Sequence, residues 1–483
     1  MVDAYLWFGR YDDAEQLYLQ ARDQQLANSG AKAKSFLDLT EERVRFYLDV
    51  LNRCEDAEPL CIELSKTRRE VLGADNPCAI RTLFLLARIY ERQKRYREAE
   101  RLYLEILNIQ PSQDAQESTP EVYKSVLVPS SFAPLSYFLD EASLVLRLLE
   151  DQNAGTARDN LWPICTHYLL ARLYATCPMA ELHNVTKAIE HGTTACELSG
   201  WAEPICLDGL AAAYAEAGRF DLAVRRQKEA IERLSGNKAL MRTIFVNRLT
   251  MYERGLVKSP KGLVARWESE QSKDGTVPDT SGNNLHGRLV GDAQAYADPD
   301  RGNVLRLDGE GDWVDCGADG RFDITDEITV SVWIKVARFD KAWQAIVAKG
   351  DSTWRLQRYE TTDALEFACS GVNTMGTFYV GNLVGHANVN DGKWHHVAGI
   401  YDGRRLSLYI DGELDTFAPA LAFTRINTST NHVLIGTNAD AQPPREWNGL
   451  IDDLRLYSYA LPPEDIKALH EGKEPAQNKG STR

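Results

Sequence analysis

Seven of the ten tryptophans of this chain, Trp267, Trp313, Trp333, Trp343, Trp354, Trp394 and Trp447, fall in its second half, and aromatic faces can stack on sugar rings. Trp343, Trp354 and Trp447 stand beside turn sequences and are the expected exposed, ligand-stacking members of the set. His395 and His396 are adjacent, so on a strand they point to opposite faces, which argues against a shared metal or reaction. Two carboxylates two residues apart on a strand face one way, as the acid pair of a glycoside hydrolase must. Glu268 with Glu270 and Glu413 with Asp415 have that spacing, but the first pair stands alone and the second follows the Asp411-Gly412 turn. No Walker A, Gly-x-Ser-x-Gly, His-Glu-x-x-His or Gly-x-Gly-x-x-Gly pattern occurs. The expectation is binding rather than catalysis, with no catalytic residue and no organic cofactor.

The elements that must position these residues are set by a chain of 483 residues, too many for one hydrophobic core. With 55 Lys and Arg against 70 Asp and Glu, the formal charge of -15 repels a phosphate backbone and makes nucleic acid an unsuitable partner. No apolar run is long enough to span a bilayer, and the first residues lack a basic segment followed by an apolar one. As written, the chain is expected to be cytoplasmic; an upstream N-terminus would make it extracytoplasmic. Its nine cysteines, an odd number without a paired CxxC spacing, read as free thiols suited to a reducing compartment.

Residues 1–255 carry helical patterns with a repeat. Tyr11-Asp12-Asp13-Ala14, Asp56-Ala57-Glu58 and Tyr96-Arg97-Glu98-Ala99 set equivalent alanines 43 and 42 residues apart. Leu210-Ala211-Ala212-Ala213-Tyr214 through Gly218, Phe220 and Ala223 repeats the small and aromatic positions at a shorter period. In such repeats Ala211, Gly218 and Ala223 allow close helix approach while Tyr214 and Phe220 fill the gap between pairs, and stacked pairs leave a concave groove. These runs resemble tetratricopeptide repeats of the kinesin-light-chain type, which implies an α-solenoid whose groove takes a protein segment. In that register the first repeat is truncated at Met1, and residues 112–162, with Pro129 and Pro134, form a degenerate repeat or insertion. Ala175-Thr176-Cys177-Pro178, followed by the alanine-rich run, also resembles planctomycete arrays that often follow a kinase. This chain has no His-Arg-Asp or Asp-Phe-Gly motif of its own. The alternative functions are therefore the C-terminal arm of a larger signalling protein, or a carbohydrate-active enzyme.

After a linker at 256–262 the pattern changes to short alternating segments between Asp-Gly, Asn-Gly and Gly-Asp turns. Eleven strands are expected, from Leu263–Glu268 to Gly449–Tyr457, too many for one open sheet and suited to two packed face to face. Residues 473–483 are polar and are expected to be a disordered tail.

Ordered motifs run through this half. They include Asp279-Thr280-Ser281-Gly282-Asn283, Leu307-Asp308-Gly309-Glu310-Gly311-Asp312-Trp313-Val314, Asp391-Gly392-Lys393-Trp394-His395-His396 and Gly449-Leu450-Ile451-Asp452-Asp453-Leu454. Residues 263–472 thereby resemble a laminin-G-like, concanavalin-A-like jelly roll, an all-β sandwich whose loops bind glycans or proteins. The resemblance implies a calcium ion between the amino-terminal loop and the last strand, with Asp279 and Asp452 as ligands. Asn283 and backbone carbonyls would complete the six to eight oxygens, and Asp453 could replace Asp452. Asp-x-Ser-Gly-Asn is equally a turn held by side-chain to backbone bonds. It also places Trp333 and Trp394 inside core motifs, and the Glu-x-Asp-x-x-Glu of the family's hydrolases is missing.

Overall fold

The computed structural model describes residues 5, 10–109, 161–234, 239–253, 255, 261–268, 275–374, 381–420, 424–439 and 445–476. The 112–162 segment, all but Trp162 and its neighbour Leu161, lies outside the described residues, as do Met1 and residues 477–483. The chain divides into two compact units between Val257 and Lys258, within the expected linker.

The first unit is helical: α1 (Tyr11–Ser29), α2 (Lys34–Arg45), α3 (Cys54–Leu72), α4 (Pro77–Arg92), α5 (Tyr96–Leu107), α6 (Leu161–Thr176), α7 (Val185–Leu198), α8 (Pro204–Glu216), α9 (Phe220–Glu232) and α10 (Ala239–Glu253). Ala14, Ala57, Ala99, Ala188 and Ala223, the small residues of the repeat, are all fully buried, so a methyl group sets the helix spacing at each repeat. Tyr214 and Phe220 pack against Ala211, Ala215, Ala223 and Tyr252. Gly218 has a different role from the expected close approach: its φ of 71° makes the left-handed turn between α8 and α9, and a Cβ there would meet nothing within 4 Å. Close approach falls instead to Gly209, where an added Cβ would lie 2.8 Å from the Tyr168 ring.

Charges tie neighbouring helices together inside this unit. Glu41 on α2 receives bonds from Arg68 on α3 (2.5 Å), Arg81 on α4 (2.6 Å) and Arg45 (3.1 Å). Burial would raise the Glu41 carboxyl, but the three guanidinium groups hold it well below the usual carboxylate range. All nine cysteines are free and buried.

The second unit is a two-sheet antiparallel sandwich. Its strands are β1 (Leu263–Trp267), β2 (Thr276–Val277), β3 (Gly287–Val290), β4 (Gln294–Asp298), β5 (Gly302–Asp308), β6 (Trp313–Asp315), β7 (Ile328–Val336), β8 (Ala345–Ala348), β9 (Trp354–Arg358) and β10 (Leu365–Cys369). They continue with β11 (Asn382–Val384), β12 (Trp394–Tyr401), β13 (Arg405–Ile410), β14 (Glu413–Pro419), β15 (Leu434–Ile435) and β16 (Asn448–Tyr457). Sheet A runs β14-β13-β12-β7-β16-β5-β4 with β1 paired to β16, and sheet B runs β11-β10-β9-β8-β15-β6-β3-β2. The sixteen strands exceed the eleven expected in part because short pieces such as β2 and β11 carry too few alternating residues to stand out.

On β7, Ile328, Val330, Val332 and Ile334 face the core, which they share with Trp354, Leu356, Phe367 and Trp447 from sheet B and its flanks. The sheets meet closely at Gly399 on β12, where an added Cβ would sit 2.3 Å from the Phe367 ring. The outer face of sheet A is covered by α11 (Pro463–His470), a helix not expected from the sequence, whose Ile466 and Leu469 pack with Ala398, Ile400, Tyr409 and Tyr457. Residues 473–476, assigned to the tail, are fastened: Glu474 pairs with Arg455 at 2.8 Å and Arg266 at 3.4 Å, and Ala476 N–H donates to Asp465.

Candidate functional site

The four residues expected to hold calcium are occupied by protein partners. Asp279 accepts N–H groups from Arg266 (3.0 Å) and Ser281 (2.9 Å) on one oxygen and from Leu285 (2.9 Å) on the other, the geometry of a turn lock. Asn283 donates its side-chain amide to the carbonyls of Leu263 and Val264. Asp452 pairs with Arg301 at 2.8 Å, and Asp453 with Arg266 and Arg455, each at 2.8 Å. A bulge between Asp452 and Arg455, with Asp453 at φ 45°, turns the two acids apart. Burial would raise the Asp453 carboxyl, but its two arginines hold it below the ordinary value. Three of the four are thus tied to main chain or arginine through the oxygens a cation would need, and the four do not converge on one point.

The tryptophan expectation is corrected in two of three cases. Trp354 and Trp447 are fully buried: Trp354 alternates inward on β9 and donates to Phe322 O at 3.4 Å, and Trp447 meets Phe339 edge to face. A turn nearby in sequence does not decide which face of a strand a ring takes. Trp343 alone of the three is partly exposed. Its φ of 62° is rare for a bulky side chain and marks a position held by its surroundings. Trp333 and Trp394, expected in the core, lie half-buried on the outer face of sheet A, where Arg301 sits 4.1 Å and 5.4 Å from their ring centroids. His395 and His396 do diverge: His395 meets Asp391 and Asp411, whereas His396 contacts Ser331.

Trp343 leads to a set of polar residues that no sequence motif announced. On β9 and β10 the residues alternating with core-facing Trp354, Leu356, Leu365 and Phe367 are Arg355, Gln357 and Glu366, which face outward from sheet B. Register places Glu366 opposite Gln357 on one side and Val384 on the other, and Ala368 between Arg355 and Asn382. Gln357 donates to Glu366 Oε2 at 2.8 Å. Arg445 reaches Gln357 Oε1 at 3.4 Å and clamps Asp351 with two bonds of 2.7 and 3.1 Å. Asn438 also donates to Asp351, and Arg355 bonds Asp351 O, Ser370 and Asn382. The Arg445 guanidinium stands 5.9 Å from the Trp343 ring centroid, and Tyr359 meets that ring edge to face at 5.3 Å.

Floor and rim differ in their exposure. Glu366 is 0% exposed and Gln357 1%, whereas Asp351, Arg445 and Trp343 remain partly open to solvent. Glu366 Oε1 has no hydrogen-bond partner. Burial pushes the Glu366 carboxyl up, opposed by the nearby Arg355 and its bond from Gln357. Two arginines against two acids leave the set formally neutral, and in chemical terms it is an array of fixed donors and acceptors beside one aromatic ring. The missed signal was the alternation itself: charged residues in mid-strand, between apolar neighbours, in Trp354-Arg355-Leu356-Gln357 and Leu365-Glu366-Phe367.

The helical unit has a concavity of its own. An open groove of about 460 Å³ is lined by Ile62, Leu83, Leu86 and Leu102 from α3, α4 and α5, with Lys66 and Glu70 beside them and an Arg69–Glu105 ion pair at 2.7 Å. Ile62 is 46% exposed, unusual for a large apolar side chain.

Comparison with known proteins agrees with both architectures. Residues 44–112 match the tetratricopeptide repeat family, and residues 308–467 match the Concanavalin A-like lectin/glucanases superfamily. The chain joins tetratricopeptide repeats to a concanavalin-A-like domain. Both are domain types associated with binding. Sushi, von Willebrand factor type A, EGF and pentraxin domain-containing protein 1 is 32% identical to this chain over 89 residues in both Rattus norvegicus and Mus musculus. That stretch covers 17% of this chain and 2% of either relative. Among solved structures, the binding domain of Paraclostridial Mosquitocidal Protein 1 is 17% identical, with 44% of this chain and 52% of that one covered and a TM-score of 0.35. Domain 4 of AbnA, a GH43 extracellular arabinanase from Geobacillus stearothermophilus, is 20% identical, with 44% and 98% covered and a TM-score of 0.34. Within the concanavalin-A-like domain, the polar set on sheet B remains the candidate site. No described helix of either region is long and apolar enough to cross a membrane.

Proposed function

We propose that this protein binds without catalysis, taking a neutral glycan on the outward face of sheet B and a protein segment in the groove of its helical repeats. The observation that carries the glycan reading is the partly exposed Trp343 ring standing beside the solvent-open Asp351–Arg445 pair, in a formally neutral network. A sugar offers hydroxyl groups that both donate and accept, and an apolar ring face that an indole can cover. A phosphorylated or sulfated ligand fits less well, because Arg355 and Arg445 already answer Asp351. The same clamp commits both Asp351 oxygens, which argues for holding a ligand rather than for acid-base hydrolysis. For the helical groove, exposed Ile62 beside charged Lys66 and Glu70 suits an amphipathic segment of a partner.

The deciding experiment is a neutral-glycan array probed with the full chain and with Trp343→Ala, followed by incubation of any bound glycan with the protein. Binding that Trp343→Ala reduces at least tenfold, with the glycan recovered intact, is the expected result. Undiminished binding by the variant removes the sheet B face as the site, and cleavage of the glycan removes the non-catalytic reading.

A further inference from the structure

The calcium expected between the amino-terminal loop and the last strand does not suit the residues there, yet another set of hard oxygens does come together. Asp292 follows β3, Asp308 ends β5 and Asp312 precedes β6, and one oxygen from each lies within 4.8 Å of the others. Two oxygens on opposite sides of a calcium ion are about 4.8 Å apart when each bond is about 2.4 Å. The loops are pressed together: Gly291, at φ 71°, stands so close to Gly311 that an added Cβ would lie 2.2 Å from the Gly311 carbonyl oxygen.

Clustered carboxylates alone would mean little, but two observations about their surroundings point to a cation. First, Asp312 is 1% exposed; its carboxyl is approached by the main chain of Asp308, whose N–H donates to Oδ2 at 2.8 Å, and of Gly309, while Oδ1 is buried without a hydrogen bond of its own. A buried carboxylate oxygen left unmatched costs about 1–3 kcal/mol or more. Second, no described lysine, arginine or histidine forms an ion pair with any of the three acids. The Lys341 ammonium is directed to Glu446 and the Gly309 carbonyl, and Glu446 in turn accepts the Gly311 N–H. The Asp308 carboxylate accepts the Glu310 N–H on Oδ1 at 2.8 Å, a turn bond that leaves its second oxygen available.

We infer that Asp292, Asp308 and Asp312 form a divalent-cation site, of the all-oxygen, irregular kind that calcium fills. The ion would pin the β3–β4 loop to the β5–β6 turn, fixing the edge of sheet A against the edge of sheet B. Neither Asp279 nor Asp452 takes part.

The test is thermal melting of the full chain in calcium chloride and in chelator, with calorimetric titration of calcium, on the parent and on Asp292→Asn, Asp308→Asn and Asp452→Asn. Asp292 is exposed and its substitution leaves the buried Asp312 bond in place, so a folded variant is expected. At a hundredfold excess over Kd the parent should gain roughly 5–10 °C. Asp292→Asn and Asp308→Asn should each weaken calcium binding at least tenfold, while Asp452→Asn should bind as the parent does. A parent with no calcium heat and no shift overturns the site, as does a response that survives both Asp292→Asn and Asp308→Asn.

Discussion

Gln357 on β9 donates to Glu366 on β10 at 2.8 Å, and that single bond leaves the second oxygen of a fully buried carboxyl with no partner. An arrangement of this kind costs stability, because a buried oxygen has lost its water without gaining a protein donor.

Replacing Glu366 with Gln should therefore stabilise the ligand-free protein at neutral pH, by roughly 1 kcal/mol or about 2–4 °C. The sign follows from the raised carboxyl: the folded state holds its proton more tightly than the unfolded one, so Glu366 disfavours folding increasingly as pH rises past the ordinary glutamate value. Tm measured from pH 4 to pH 7.5 should fall less in Glu366→Gln than in the parent. A lower Tm for the variant across that range would contradict this account.

Glu41 should behave in the opposite way. Its carboxyl is held low by Arg81, Arg68 and Arg45, so its contribution is present above the ordinary glutamate value and is lost as pH falls through the depressed folded value. Glu41→Ala removes the carboxylate from buried Arg81 and leaves Arg68 with Asp38 alone as its acid, and should cost about 3–5 kcal/mol. Circular dichroism at 222 nm would report it as loss of the helical unit at a temperature where the sandwich still melts cooperatively.

His167 and His191 meet through their Nδ1 atoms at 2.8 Å between α6 and α7, with Tyr174 stacked on His191. Burial, and then the neighbouring imidazole, push His167 down to about 4; burial also lowers His191. Because the unfolded state takes up protons first, helical stability should decline from about pH 7 toward pH 4.5. Exchange of His191 for Gln should flatten that decline by several degrees in a pH series of melts; an unchanged slope would show the pair to be uninvolved.

Gly399→Ala tests the packing between the sheets. The added methyl would overlap the Phe367 ring, directly beneath the strand that carries Glu366, and should cost about 1–3 kcal/mol. Thermal melting of the variant against the parent measures that cost; an unchanged Tm would show that the ring gives way freely.

The architecture was legible because it is written in local chemistry. Ala14, Ala57 and Ala99 recur 43 and then 42 residues apart because every helix pair meets the same steric limit, and Asp-Gly and Asn-Gly turns mark strand ends independently of what the strands pack against. The site was not legible, because its residues come from separate strands and meet only through register: Asn382 reaches Arg355 across Ala368. Aromatic residues misled for a related reason. Trp354 points inward because of its parity on β9, whereas partly exposed Trp343 sits in the turn before β8, and the turn sequences near both carry no information on that difference. The acidic residues of the closing motif were chosen for their type, whereas Arg266, Arg301 and Arg455, which answer them, are scattered over nearly two hundred positions.

Pairing of β1 with β16, reinforced by Glu474 reaching back to Arg266 and Arg455, has a topological consequence. Both ends of the sandwich leave it from adjacent strands. A domain entered and left at one seam can be spliced into a host chain, or circularly permuted by joining its ends, without cutting any strand of either sheet.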